Sequence, residues 1–400
     1  MTTRSQIVDV DARETPPGRS VAGEPGVERT LAARFQKRLG AREPGADFLL
    51  QVDFTAAAGF TILFGPSGAG KTMLLDCIAG LSRPDEGKIS VGGRVLFARD
   101  EADIPAAKRR VGYVFQDLAL FPHLTVEENV RYGLAHLPAA ERRSRAGWIL
   151  GALRIAQFAQ RKPRELSGGE KQRAALARTL ATDPEVLLLD EPLAALDATT
   201  KSKIIDDLRA WNEAHGIPVL YVTHSRDEVY ALGERAIVLE RGRMVAQGTP
   251  HEVLDAPRQE SIAHLAGFEN VFDAKVRSLH EDRGTMMCVL AGTTGSAVLL
   301  ETPLIRAEVG GALRVGIRAG DILLANAAPV GLSARNIIPG HITLLERRDV
   351  MISARVDCGV EMEVHLTLAA RDSLDLIPGR AVWLVIKTHS CHLMQKSLSS

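Results

Sequence analysis

The chain has 400 residues, enough for two or three domains with cores of their own. Its 49 basic and 49 acidic residues cancel to a formal charge of zero, which argues against a dedicated nucleic-acid binder, since such proteins carry a basic surplus. No apolar run approaches the ~20 residues that cross a bilayer, so any membrane contact is expected through a partner.

Residues 1–29 are polar, rich in Gly, Pro and Arg, and lack the apolar stretch of a secretory signal; they read as a disordered extension. From Thr30 to Phe54 a weak alternation predicts strands that lead into a core strand, Phe60 to Phe64. A glycine loop and an amphipathic helix from Lys71 to Leu81 follow. Gly92-Gly93 between strand-like runs predicts a hairpin, and Val111 to Phe115 a strand ending at Gln116. Residues of about 117–165 read as a helical subdomain, and Glu141-Arg142-Arg143-Ser144-Arg145 as a solvated helix face. Strands and helices then alternate: Val186 to Asp190, Lys201 to His215, Val219 to Thr223, Ala236 to Glu240. That order predicts an α/β domain over residues 30–268 with a largely parallel sheet.

After about Asn270 short β-like runs punctuated by Gly and Pro predict a second, all-β domain over 269–400, a small barrel. Within it Gly310, Ala312, Ile317 and Arg318 match Gly379, Ala381, Ile386 and Lys387 at a constant offset. A duplicated barrel element gives such an echo, and so does coincidence among glycine-bounded strands. The cysteines Cys77, Cys288, Cys358 and Cys391 stand far apart, without a CxxC pair or a zinc spacing, and read as reduced thiols.

Three motifs carry chemistry. Gly65-Pro66-Ser67-Gly68-Ala69-Gly70-Lys71-Thr72 fits G-x-x-x-x-G-K-[ST] between a strand and a helix. Glycines let backbone N–H groups turn toward phosphates, Lys71 is expected on the β- and γ-phosphates, and Thr72 on Mg²⁺. Val186 to Glu191 is a buried strand ending in two carboxylates; Asp190 is expected to hold Mg²⁺, and Glu191 to polarise the attacking water. In Leu166-Ser167-Gly168-Gly169-Glu170-Lys171-Gln172-Arg173, Ser167 and Glu170 have capping-box spacing. A bare helix start beside a hydroxyl favours an anion, yet the spacing alone is better explained by an ordinary capped helix.

Taken together in this order, the motifs resemble those of the ATP-binding cassette family: the phosphate loop, Gln116, the LSGGE run, the Asp190-Glu191 strand, Asp197 and His224. The resemblance spans roughly Thr30 to Phe268. It implies a P-loop NTPase fold and a homodimer in which Ser167, Gly168 and Gly169 of one copy contact ATP on the other. It implies that Gln116 senses Mg²⁺ and the lytic water, that Asp197 communicates across the dimer, and that His224 contacts the γ-phosphate. The family's usual adenine-stacking tyrosine has no counterpart: Arg38-Leu39-Gly40 stands there, with Phe35 and Phe48 nearby.

The tail resembles molybdate-binding (TOBE-type) barrels over about 332–398, on Ser333-Ala334-Arg335-Asn336 and Lys387-Thr388-His389-Ser390. This similarity implies the ATPase subunit of a molybdate importer on the cytoplasmic face of a bacterial inner membrane. Two copies of a separate membrane permease and, indirectly, a periplasmic molybdate-binding protein are its implied partners, without nucleic acid. In the groove after Gln116, Phe121 and Leu124 are expected against the permease. Ser333, Arg335, Asn336 and Lys387 are the implied ligands of a regulatory molybdate. Other cargoes (sulfate, iron, polyamine, sugar), a non-transport cassette ATPase and a barrel that binds nothing remain open from sequence.

Overall fold

The computed structural model describes residues 29–40, 48–194, 196–254, 260–291, 297–348 and 350–394. The expected N-terminal extension lies outside them, apart from Arg29, as does Ala195 in the loop before Asp197. The chain forms two compact units, divided between Pro250 and His251.

The first unit is built on one 11-stranded sheet. Its strands are β1 (Leu31–Leu39), β2 (Phe48–Ala56), β3 (Gly59–Phe64), β4 (Glu86–Val91), β5 (Arg94–Ala98), β6 (Ala102–Asp103), β7 (Val111–Val114), β8 (Val186–Asp190), β9 (Pro218–Val222), β10 (Arg235–Glu240) and β11 (Arg243–Gly248). Along the sheet they run β6-β5-β4-β1-β2-β11-β10-β3-β9-β8-β7. From β10 to β7 all pairings are parallel, and β3, β8 and β9 are buried at every residue. Strands covered on both faces must be apolar throughout, which is why Val186 to Leu189 and Val219 to Val222 carry no polar alternation. The β1, β2, β4 and β5 pairings are antiparallel, and β4 and β5 meet at the Gly92-Gly93 hairpin, both glycines at positive φ.

Helices α1 (Lys71–Ala79), α2 (Val126–Tyr132), α3 (Ala139–Ala152), α4 (Gly168–Leu180), α5 (Ala198–His215) and α6 (Arg226–Leu232) complete this unit. Arg109, 1 % exposed, closes the end of α1: its guanidinium donates to Cys77 O and Ile78 O at 2.9 Å and ion-pairs with Asp103. A buried cation is tolerable there because the last carbonyls of a helix carry partial negative charge. One expectation needs correction. Arg145 is not part of a solvated face; it is buried, with its guanidinium 3.8 Å from Asp183.

The second unit contains α7 (Pro250–Leu254, whose first residue closes the first unit), α8 (Glu260–Leu265) and two five-stranded sheets. Its strands are β12 (Asn270–His280), β13 (Thr285–Leu290), β14 (Val298–Pro303), β15 (Ala312–Ile317), β16 (Leu323–Ala325), β17 (Asn336–Arg348), β18 (Met351–Asp357), β19 (Glu361–Thr367), β20 (Ala381–Ile386) and β21 (His392–Met394), with α9 (Leu368–Ser373) before β20. The orders are β14-β13-β12-β15-β21 and β19-β18-β17-β20-β16, the same arrangement twice. The weak sequence echo is therefore a duplication. Gly310 N–H bonds Val276 O at 2.7 Å, and Gly379 N–H bonds Ile342 O at 2.7 Å. Bulges interrupt β12 after Val276 and β17 after Ile342.

Each repeat sends its last strand into the other repeat's sheet: β16 pairs with β20, and β21 with β15. Each also grips the other through an asparagine. Asn336 accepts from Glu301 N at 2.7 Å and donates to Glu301 O at 2.9 Å; Asn270 does the same with Glu363 at 2.7 and 2.8 Å. Both asparagines are buried, so loss of the amide strands a backbone donor and acceptor. Asn270→Ala and Asn336→Ala are each expected to cost the tail about 1–3 kcal/mol, read from the tail transition in urea unfolding of the full chain. A loss below about 0.5 kcal/mol in both would show that the clamps do not hold the repeats together.

Candidate active site

The parallel strands β3, β9 and β8 lie side by side, and each delivers one motif at its carboxyl end. From β3 comes the phosphate loop. Gly70 caps α1 with φ +100°, and a Cβ there would stand 2.9 Å from the Phe48 ring, so both conformation and space require glycine. Lys71 donates to Gly65 O at 2.8 Å and Pro66 O at 2.9 Å. Burial pulls its ammonium below the usual lysine range, against the opposing pull of Glu191 and then Asp190.

From β8 come the two carboxylates. Asp190 accepts a hydrogen bond from Thr72 Oγ1 at 2.8 Å, joining the phosphate-loop helix to the neighbouring motif. Burial pushes its carboxyl above the ordinary range, outweighing that hydrogen bond, and the Glu191 charge adds to the rise. Glu191 sits at φ +45°, a left-handed conformation rare outside glycine, pinned by its N–H to Val222 O at 3.1 Å. From β9 comes His224, whose Nδ1 lies 3.5 Å from Glu191 Oε2. Thus Lys71, Thr72, Asp190, Glu191 and His224 belong to one edge.

A desolvated carboxylate next to a hydroxyl suits a hard divalent cation that completes its shell with phosphate oxygens and water. Among the described residues no group of three or more His, Cys, Asp or Glu could hold a metal. Thr72 and Asp190 would hold Mg²⁺ only together with a nucleotide. Gln116, exposed, follows β7 on the next strand beyond β8.

The LSGGE run is elsewhere on the same unit. Ser167 is the N-cap of α4, with both halves of the capping box present: Ser167 N to Glu170 at 2.7 Å, and Glu170 N to Ser167 Oγ at 3.4 Å. Ser167, Gly168, Gly169, Asp197, Thr200 and Phe158 are among the residues lining a cavity of about 450 Å³, and no phosphate-loop residue lines it. Asp197 caps α5, and a Cβ on Gly169 would stand 2.7 Å from Thr200 Cγ2. The signature run and the phosphate loop are therefore separate on this unit.

Two residues that shape the loop after Gln116 were not found from sequence. Asn129 of α2, fully buried, accepts from Phe121 N and donates to Phe121 O, Leu124 O and Thr125 O, fixing the loop after Gln116. A polar residue on the inner face of α2 was the one signal available. Arg178 of α4 donates to Leu118 O at 3.0 Å and to Ala119 O; both residues sit at positive φ. Nothing local in the sequence marks it. Of the two aromatics near the missing tyrosine's position, Phe35 is core, and Phe48 packs against that core beside Gly70.

In the tail, Asn336 pairs with Ile386, which brings Arg335 and Lys387 to the same strand ends. Ser333, Arg335 and Lys387 are exposed. Asn336, read from sequence as an oxyanion ligand, has its amide committed to Glu301, and Arg335 Nε lies 3.9 Å from the Glu301 carboxylate.

Residues 49–194 match the ABC transporter family model. The chain is 39 % identical over 347 residues to the molybdenum import ATP-binding protein ModC of Mesorhizobium japonicum, covering 86 % of this chain and 92 % of that protein. This chain belongs to the ATP-binding cassette transporter family. It is an ATP-hydrolysing transporter subunit. Similarity to ModC of Rhizobium meliloti is 40 % over 351 residues (85 % and 95 % of the two chains). Similarity to the molybdate/tungstate import ATP-binding protein WtpC of Pyrococcus abyssi is 37 % over 330 residues (82 % and 90 %). The TOBE domain model matches residues 332–393, which take in the second tail repeat. Among the described residues no helix of this cassette is long and apolar enough to cross a membrane.

The raised Asp190 carboxyl has a consequence for stability. The folded state binds its proton more tightly than the unfolded chain, so stability is full below the ordinary carboxylate range and falls as pH rises through it toward the raised value. Asp190→Asn removes that loss while keeping an acceptor for Thr72. The variant is expected to melt higher than wild type at neutral pH without nucleotide, with Mg-ATP hydrolysis reduced at least about a hundredfold. An unchanged or lower melting temperature would show that Asp190 is not held against its charge.

Proposed function

We propose that this subunit couples Mg-ATP hydrolysis to molybdate import through a separate membrane permease, on the cytoplasmic face of the membrane. The observation that carries the cargo is that the similarity to molybdenum importers extends over 92 % and 95 % of those proteins, beyond the cassette into the tail. Head-to-tail pairing of two copies would set Ser167 and Gly169 of one against the nucleotide on Lys71 and Thr72 of the other. The placement of the signature cavity apart from the phosphate loop supports this reading.

In the closed pair the phosphate-loop N–H groups and Lys71 bind the β- and γ-phosphates. Mg²⁺, held by Thr72 and Asp190 with Gln116 near it, would neutralise charge on the phosphate oxygens. Glu191, fixed in its left-handed conformation, orients and deprotonates the attacking water, and His224 bridges Glu191 and the γ-phosphate. The loop after Gln116, with Phe121 and Leu124, would receive the permease; Asn129 and Arg178 hold its shape. Asp197 lies where the two copies would meet.

Ser333, Arg335 and Lys387 form the tail's regulatory oxyanion site in this reading, with Asn336, opposite Ile386, anchoring the start of β17 just after two of them. Tungstate presents the same charge and shape. Uptake by cells lacking the chromosomal gene tests the cargo. Wild-type chain should restore molybdate uptake and the Glu191→Gln chain should not, with sulfate uptake unaffected by either. Restored sulfate uptake without molybdate uptake would contradict the assignment. For the tail, titration of the full chain with molybdate should show binding that Lys387→Met weakens about tenfold or more. Equal affinity in the variant would remove Lys387 from the site.

A further inference from the structure

Glu228 lies in the first turn of α6, just after the His224 loop, and has no part in the mechanism above. Its carboxylate is 5 % exposed, and three donors converge on it. Tyr221 Oη donates to Oε2 at 2.9 Å, Thr223 Oγ1 donates to Oε2 at 2.7 Å, and Lys201 Nζ pairs with Oε1 at 3.1 Å. Thr223 Oγ1 in turn accepts from Ser225 N at 3.0 Å. The residues on both sides of His224 are thereby fixed to one buried carboxylate.

Lys201 gives the cluster its second arm. It belongs to the first turn of α5, where its N–H bonds Asp197 O at 2.9 Å. Thr200, next to it, is the residue against which Gly169 of the signature packs. A continuous path thus runs from His224 through Glu228 and Lys201 to Asp197, Thr200 and the signature. A buried ion pair with all its donors in place is stiff, and breaking one side leaves an uncompensated charge.

We propose that the Glu228–Lys201 pair is a positioning link that makes the His224 loop and the start of α5 move as one body. Within one chain it ties the histidine serving that chain's own nucleotide to the half-site that serves the partner's. The inference rests on the reading that the signature completes the partner's site.

Glu228→Gln keeps the size, removes the charge and leaves one acceptor oxygen in place of two, enough for Tyr221 and Thr223 but with an amide N–H₂ facing Lys201; Lys201→Met removes the other pole from a less buried position. ATPase rates of the full chain in its transporter complex are the readout. Each variant is expected to lower kcat about tenfold with KM for ATP within about twofold of wild type, and the double variant to lose no more than either alone. In a His224→Ala background, single-turnover hydrolysis should not fall further on adding Glu228→Gln. Unchanged kcat at temperatures well below melting, with only stability reduced, would overturn the link. Additive losses, or a further loss without His224, would overturn it equally. If Glu228→Gln does not fold, the KM and kcat of Lys201→Met decide alone. ATP-dependent pairing of wild-type chains, measured separately, distinguishes the outcomes: absence of pairing defeats the dimer reading, whereas pairing with unaffected kcat defeats only the link.

Discussion

Hydrolysis in this protein depends on one constraint: a parallel sheet opens all its strands' carboxyl ends on one edge. Strands β3, β9 and β8 are adjacent and buried at every residue. They pair in parallel, so the phosphate loop, Asp190-Glu191 and His224 arrive together at one edge. The Thr72–Asp190 hydrogen bond then locks two of those ends to each other at 2.8 Å. Around that bond the unit holds groups that would be costly alone: a buried lysine, a desolvated aspartate and a glutamate in a left-handed turn. In the proposed reading the charges of a bound magnesium–nucleotide complex would offset the first two of these costs.

The motif residues were legible because their chemistry is local. A phosphate loop is a run of consecutive N–H groups, and a capping box closes within four residues; Ser167 and Glu170 form the bonds that their spacing predicts. Arg109, Asn129 and Arg178 were not legible, because each acts on carbonyls or amides placed by tertiary contact. Arg178 and Ala119 are far apart in sequence, and no spacing rule joins them. Arg145 was misread for the same reason: a charged run looks solvated until the packing that buries one member is known.

The tail teaches a similar lesson at larger scale. Its duplication left only a faint echo of glycines and strand residues, because those alone answer to local geometry. What holds the repeats is reciprocal: Asn270 grips Glu363, Asn336 grips Glu301, and each repeat lends its last strand to the other. The clamp leaves one asparagine at the start of β12 and one at the start of β17, too little to mark the symmetry in sequence. The exposed Arg335 and Lys387 flank the Asn336–Ile386 pair, at the start of β17 and the end of β20.

In the proposed reading the cassette carries the two halves of a nucleotide site apart from each other, and a second copy completes it. Sedimentation equilibrium of the Glu191→Gln chain, with and without Mg-ATP, measures this directly. Monomers without nucleotide, dimers with it, and loss of the dimer when Ser167→Phe is added are the predicted results. A chain that binds Mg-ATP and remains monomeric, or a dimer indifferent to Ser167→Phe, would contradict the shared site.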